Sequence, residues 1–365
     1  MNIEKILHKE KLNRSDLIHL MNANSVEDIE KIFKKAYEIK LKNIGNKVYY
    51  RGLIEIGNRC IKNCLYCGIR RDNKNVEIFE MTKEQILEGA KWIYENNYAS
   101  IALQAGERKD KEFVDFIEDV VIGIKKISNN KLGVTLSLGE QTYKTYKKWY
   151  DAGAHRYLLR VESSNKDIYN TLHPHDPLHS HDTRIECLKD LKKVGYQVGT
   201  GVMIGLPGQT TEDLVDDILF YENMDIDMIG MGPYILHDDT PMGKKFKEKI
   251  LSVEKRVELG LKMIALTRIY LKDVNIAATT ALQGLDPLGR EKGLKAGANI
   301  LMPITTLKEH KAKYQLYNNK PCLDDNAEQC KNCLGKRVES VGDKIIYNDW
   351  GDSPHFKKKS NKSST

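Results

Sequence analysis

The chain has 365 residues, 41% of them apolar and 30% charged, and carries a net charge of +7 at pH 7. That length allows one large domain or two ordinary ones. The mean hydropathy of −0.51, with no run near the roughly 18 apolar residues of a membrane span and a charged start, "MNIEKILHKEKLNRSD", that lacks the apolar stretch of a secretory signal, excludes an integral membrane protein and points to the cytoplasm.

In chain order, residues 1–46 read as a helical cap. "SDLIHLMNA" opens on a Ser15 N-cap, and the longer stretch from Ser25 opens with Ser-x-x-Asp and ends at Gly45. From residue 47 short apolar runs alternate with amphipathic stretches. The runs 48–57, 100–106, 133–139, 156–163, 198–206, 228–236, 275–282 and 299–304 predict eight strands. Helical stretches such as "TKEQILEGAKWIYENN" and "TTEDLVDDILFYENM" fill the gaps. This alternation predicts an α/β fold, a (β/α)8 TIM barrel over 47–305. A carboxy-terminal extension over 306–352 follows. Residues 353–365, with "FKKKSNKSST", read as a basic, disordered, solubilising tail. The positive charge gathers there and no added RNA-binding module is visible, so neither nucleic acid nor membrane is an expected partner.

Seven cysteines in a large cytosolic chain are better read as metal or redox ligands than as disulfides. Cys187, alone on an apparent helix, reads as buried packing. Cys60, Cys64 and Cys67 are spaced C-x3-C-x2-C directly after the first strand, the end of a barrel that carries active sites. A closed zinc site needs four ligands. Three therefore leave one corner open, which suits an iron–sulfur cluster with one iron free, or a zinc ion completed by a remote residue. Cys322, Cys330 and Cys333, spaced C-x7-C-x2-C, read as a second cluster site, a zinc knuckle or no metal site at all.

The first triplet, with Tyr66 just before its last cysteine, resembles the radical S-adenosylmethionine (SAM) superfamily. The resemblance implies a [4Fe–4S] cluster held by three cysteines, with SAM chelating the fourth iron. "LQAGE" places Gln104, Gly106 and Glu107 after strand two, "RVE" places Arg160 and Glu162 after strand four, and "GVMIGLPGQT" places Gly205 after strand five. These resemble the superfamily's SAM-binding motifs, and Arg184 matches a further SAM carboxylate contact. The runs "CLYCGIRRDNKN", "TLSLGE", "GLPGQTTEDLVDDILF", "MGPYILHDDTP" and "GREKGLKAGANILMP" extend the likeness over about residues 1–352 to the HydE family of [FeFe]-hydrogenase maturases.

That resemblance implies action on a cysteine-bound iron–carbonyl–cyanide complex during H-cluster assembly. Its expected partners are a reductant such as ferredoxin or flavodoxin, a GTPase scaffold and a tyrosine-cleaving radical SAM enzyme. Arg51, Thr135, Arg156, Thr279, Thr280 and Tyr317, with Tyr314 beside it, match residues lining the family's internal cavity, the two threonines on strand seven. The null for each is ordinary barrel packing or a buried arginine paired with a carboxylate. The segment His173, His175, His179 and His181 departs from the family pattern; it reads as a solvent-exposed loop without a ligand role. Biotin-synthase-like and methylornithine-synthase-like reactions, action on another thiol, and a cluster carrier without turnover remain as alternatives.

Overall fold

The computed structural model describes residues 2–323 and 327–362. Three helices come first, Ile3–Leu7, Arg14–Met21 and Val26–Asn43. The second starts two residues earlier than expected. Asn13, not Ser15, is its cap, because Asn13 accepts the Asp16 N–H at 2.9 Å and Asp16 accepts the Asn13 N–H at 3.1 Å, a reciprocal box that Ser15 cannot make. The third buries Ile32 and Ala36 against the long helix Val253–Leu271.

The strands are β1 (Lys47–Tyr50), β2 (Gly52–Gly57), β3 (Ser100–Ala105), β4 (Gly133–Ser137), β5 (Ala154–Leu158), β6 (Gln197–Thr200), β7 (Met203–Ile204), β8 (Met228–Ile229), β9 (Gly232–Pro233), β10 (Asn275–Ile276), β11 (Ile300–Leu301) and β12 (Lys344–Ile346). β2, β3, β4, β5, β6, β8 and β10 form a seven-stranded parallel sheet in sequential barrel order, and β7 pairs with β9 beside it. Ala277 bridges to Ile300, β11 pairs with β1, and the ring closes. Side chains alternate across it with the period of a strand. Ile54, Ile56, Ile101, Leu103, Val134 and Leu136 are buried in the main core shared with the outer helices. Leu53, Ala102 and Ile304 form a separate apolar cluster with Met302, a layer inside the ring.

Several of the expected strands are interrupted, among them 48–57, which divides at Arg51 into β1 and β2. The runs 198–206 and 228–236 each divide, at Gly201 and Gly230, where the two backbones meet so closely that a Cβ on Gly201 would lie 2.1 Å from the Gly230 carbonyl oxygen. The run 275–282 is strand only over Asn275–Ile276; Thr279 takes the N-cap position of the helix Thr280–Leu285. Neither threonine lies on strand seven, because the chain turns into a helix at the barrel rim.

The carboxy-terminal segment also departs from expectation. β12 pairs in parallel with β1, and Trp350–Asp352 then crosses the amino ends of the strands. Arg156 donates to Asp352 at 3.0 Å and to the Trp350 carbonyl at 2.7 Å; Ser100, Gln197 and Asn275 add hydrogen bonds to the same three residues. His155 lies against the Trp350 ring at 4.5 Å. Residues Pro354–Lys362 are helical instead of a disordered tail: His355 pairs with Asp225 and Asp273, and Lys359 with Asp225 and Asp227. Among the described residues no helix is long and apolar enough to cross a membrane.

Gly351 has φ +63°, and a Cβ there would lie 2.5 Å from the Tyr49 ring. Gly351→Ala should therefore cost about 1–3 kcal/mol, measured by denaturant unfolding. Burial first, and the Arg156 charge second, hold the His155 pKa down to about 4. Between the ordinary histidine value and that one the unfolded chain binds the extra proton, so stability falls as pH drops from roughly 6.5 toward 4. His155→Gln should flatten that part of the stability–pH curve.

Candidate active site

The cysteine loop leaves the carboxyl end of β2, and each part of it is fastened to a different element. Asn58 donates to the carbonyls of Glu77 and Lys313, both at 2.8 Å, and accepts the Phe79 N–H. Ile61 N–H donates to the Glu107 carbonyl and the Glu107 N–H donates back to Cys60 Sγ at 3.3 Å. Asn63 N–H donates to His179 Nε2 at 2.8 Å, Leu65 N–H to the Leu172 carbonyl, and Gly68 N–H to the Leu316 carbonyl. Close approach requires glycine at two of these points. A Cβ on Gly106 would lie 2.3 Å from the Arg59 carbonyl oxygen and 2.9 Å from Cys60 Cβ, and one on Gly68 would lie 2.1 Å from the Gln315 carbonyl oxygen.

The three thiols titrate far from their ordinary value. Burial pushes Cys64 up to about 12, with Cys60 adding repulsion; Cys67 is raised by burial and by both other cysteines, and Cys60 by burial. Three thiolates this close are stable only when a cation replaces their protons. Among the described residues no three Cys, His, Asp or Glu side chains converge tightly enough for a single metal ion, whereas a four-iron cube needs its thiolates more widely spaced. The donor set fits a cluster held by Cys60, Cys64 and Cys67.

Charged groups from four successive strand ends surround this loop. Lys62 donates to Glu140 at 2.7 Å, and Arg184 donates to the other Glu140 oxygen at 2.6 Å and to the Arg160 carbonyl at 2.5 Å. Arg160 grips Glu162 with a two-pronged contact, Nε–Oε1 3.0 Å and Nη2–Oε2 2.9 Å. Glu107 accepts the Glu140 N–H at 2.9 Å. Burial opposes the Arg184 charge most strongly, but Glu140, Tyr169, Glu107 and Tyr66 together outweigh it, so its pKa lies well above the ordinary value. Gly205, at φ +77°, turns the chain after β7 while Gln209 accepts its N–H. Tyr66 is half-buried at the edge of the His173 ring, 5.7 Å away.

The sequence-derived residues thus fall into two groups. Cys60, Cys64, Cys67, Tyr66, Gln104, Gly106, Glu107, Arg160, Glu162, Arg184 and Gly205 gather at the carboxyl ends of the strands. Above them, Thr280 and Tyr317 hydroxyls meet at 2.8 Å, and Tyr314 bonds Gln104. Arg51, Thr135 and Arg156 lie toward the amino ends: Arg156 reaches Thr135 Oγ1 at 3.4 Å and is paired with Asp352, and Arg51 donates to Met228 Sδ at 3.0 Å and to the Gly351 carbonyl. Of the second cysteine triplet, Cys322 is half-buried and Cys333 exposed, its sulfur accepting from Arg337 at 3.4 Å; the Cys330 side chain lies outside the described residues.

Sequence reasoning missed three features. Glu140 was one, although "LSLGE" repeats the strand-Gly-Glu ending of "LQAGE". Lys320 was another: from the segment that closes the mouth it donates to Glu55 inside the barrel at 2.5 Å and to the Tyr314 carbonyl at 2.8 Å. The third corrects an expectation. The histidine segment is exposed only in part: His175 faces solvent as expected, but His173 and His179 are only 2% and 3% exposed. His173 Nδ1 donates to the Tyr169 carbonyl at 2.8 Å and its ring stacks on Tyr169, while Asp176 orients the His179 ring that accepts the Asn63 N–H.

Three cysteines on a loop at the mouth of a parallel barrel, ringed by Glu107, Arg160, Glu162 and Arg184, are the marks of a radical SAM enzyme, and the model of the Radical SAM superfamily matches residues 54–221. The [FeFe] hydrogenase maturase subunit HydE of Thermotoga maritima is 44% identical over 94% of this chain and 95% of its own. The 3-methylornithine synthase of Methanosarcina acetivorans is 25% identical over 93% of this chain and 92% of its own. The crystal structure of methylornithine synthase superposes with a TM-score of 0.79 at 23% identity, covering 95% of this chain and 97% of that one. HydG from Carboxydothermus hydrogenoformans superposes at 0.80 and 18% identity, covering 94% and 78%. The chain belongs to the HydE family of radical SAM enzymes, whose superfamily uses a [4Fe–4S] cluster and SAM.

Gly106→Ala should displace the Arg59–Cys60 backbone. Reconstituted protein should bind less iron per chain and show weaker visible cluster absorption than the wild type, while its far-ultraviolet circular dichroism stays the same.

Proposed function

We propose that this enzyme acts in [FeFe]-hydrogenase maturation, on a cysteine-bound iron–carbonyl–cyanide complex that becomes the precursor of the diiron subcluster. The observation that carries this reading is the 44% identity to the Thermotoga maritima HydE over nearly the whole of both chains. When bound, the cluster and SAM supply an electron and a 5'-deoxyadenosyl radical, chemistry that belongs to the cofactor.

The chain's own residues bind, orient and exclude water. Arg160, Glu162, Arg184 and Glu107 offer cations and anions for the carboxylate and amine of SAM, and Tyr66 and Gly205 would hold its adenine side. The segment 313–320 closes the mouth. It is bonded to the cysteine loop through Gly68, to Asn58 after β2, and to the loop after β9, where Asn318 N–H donates to the Leu236 carbonyl and Asn318 Nδ2 to Asp238. A closed mouth keeps water from a radical. Gln104, Thr279, Thr280 and Tyr317 present donors to an anionic substrate, with Arg51, Thr135 and Arg156 deeper in the barrel. A ferredoxin or flavodoxin is the proposed reductant in the cytoplasm, and the GTPase scaffold and tyrosine-cleaving enzyme are the proposed maturation partners. Cys322, Cys330 and Cys333 are proposed to hold a second, peripheral iron–sulfur cluster without a part in SAM cleavage.

The test uses anaerobically reconstituted, reduced enzyme with SAM, with and without synthetic iron–dicarbonyl–cyanide–cysteine complex. A new low-spin iron signal by electron paramagnetic resonance, with adenosyl attached to the substrate sulfur, is the expected outcome. SAM cleavage indifferent to the complex would assign the enzyme another thiol, and no cleavage would leave a cluster carrier.

A further inference from the structure

Several backbone N–H groups of the cysteine loop are spent on acceptors other than sulfur. Those of Ile61, Leu65 and Gly68 donate to the carbonyls of Glu107, Leu172 and Leu316. That of Asn63, between Cys60 and Cys64, donates at 2.8 Å to a side chain instead, His179 Nε2, from 116 positions away. Other N–H groups do reach the thiols: Cys60 takes backbone hydrogen bonds from Glu107 and Lys62, and Cys67 takes one from Ile69. The loop therefore divides its donors between sulfur and the surrounding fold, and at Asn63 a histidine makes the division.

That histidine is set up as an acceptor. An amide N–H can only donate, so Nε2 carries its lone pair and the ring proton sits on Nδ1, where Asp176 Oδ1 accepts it at 2.7 Å. Asp176 is held in turn by the Leu178 N–H at 2.9 Å, and the Leu178 carbonyl accepts from Lys62 Nζ. Lys62, Asn63 and His179 are all buried, so bulk water does not compete for the Asn63 N–H. Hydrogen bonds to sulfur and solvent exposure both set the reduction potential of an iron–sulfur cluster. An N–H aimed at sulfur favours the reduced cluster, which carries the extra negative charge, and so raises the potential. Each donor diverted elsewhere leaves the cluster a stronger reductant, as reductive cleavage of SAM demands.

We propose that His179, with its tautomer set by Asp176, is a positioning residue that holds the Asn63 N–H off the cluster sulfurs and thereby keeps the cluster potential low. The inference rests on the superfamily's cluster at Cys60, Cys64 and Cys67 and not on the maturase substrate, which takes no part in its test. His179 belongs to the segment that departs from the family pattern, so this control of potential is a property of this chain.

The test is a redox titration of the reconstituted holoenzyme followed by electron paramagnetic resonance, without SAM. The signal read is the one that changes when SAM is added afterwards, which separates it from any cluster at the second cysteine triplet. His179→Phe keeps a ring and removes the acceptor, His179→Leu removes both, and His179→Gln keeps an amide oxygen that can accept. At the wild-type midpoint, His179→Phe and His179→Leu should raise the ratio of reduced to oxidised cluster about 10-fold, the worth of one hydrogen bond and about 59 mV for one electron. His179→Gln should stay near the wild type. Electron–nuclear double resonance of the reduced cluster, compared in H2O and D2O, should show one more coupled exchangeable proton in the Phe and Leu variants than in the wild type or His179→Gln. An unchanged potential in an iron-loaded Phe or Leu variant would overturn the proposal. So would an equal shift in all three variants, which would trace the effect to packing or water entry and not to the acceptor. If the Phe and Leu variants held no iron while His179→Gln did, the control of potential would fail and His179 would belong to the fold alone.

Discussion

Three half-buried cysteines whose thiolates would repel one another are the constraint around which this molecule is organised. Left to itself, a loop carrying Cys60, Cys64 and Cys67 would spread to relieve that repulsion, or hold its protons and bind nothing. It is prevented from spreading by bonds that arrive from well-separated parts of the chain: Glu107 after β3, Leu172 and His179 from the histidine segment, Leu316 from the closing segment. Nearly all of these bonds use loop backbone groups, which leaves the thiols available to metal. The charged ring of Lys62, Glu140, Arg184, Arg160 and Glu162 then sets the positive and negative positions that a zwitterionic cosubstrate meets beside the open corner.

The interior of the barrel is layered in a way that separates two polar regions. At the amino ends Arg156 is neutralised by Asp352 and bonded to the Trp350 carbonyl, and Arg51 donates to the Gly351 carbonyl. The apolar layer of Leu53, Ala102, Ile304 and Met302 comes next. Glu55, Lys320, Gln104 and Tyr314 lie at the carboxyl ends. Arg156 has its carboxylate partner, Asp352, at the amino ends, whereas Arg160 and Arg184 have theirs, Glu162 and Glu140, at the mouth beside the cysteine loop.

What the sequence made legible followed from local rules. Strand alternation placed the barrel, and the positions after each strand placed Glu107, Arg160, Glu162 and Gly205, because in this architecture a residue's order along the chain nearly determines its place around the ring. Arg184 was assigned through a segment that departs from the family pattern, yet the structure brings it against the Arg160 carbonyl. The features that escaped are pairings between distant residues. Asp352 meets Arg156 across 196 positions and Lys320 meets Glu55 across 265, and no spacing rule links such partners. The histidines misled for a related reason: a polar residue type suggests exposure, but a neutral imidazole with one donor and one acceptor nitrogen is well suited to satisfy buried backbone groups. The basic tail was misread likewise, since Asp225 and Asp273, which anchor its helix, lie far upstream.

The segment at the amino ends of the strands also bears on how the chain is made. During vectorial synthesis the barrel's strands emerge before β12, Trp350 and Asp352 exist, so for that interval Arg156 sits beneath an open ring with its counter-ion still unsynthesised. A nascent barrel in that state resembles a vessel without its floor.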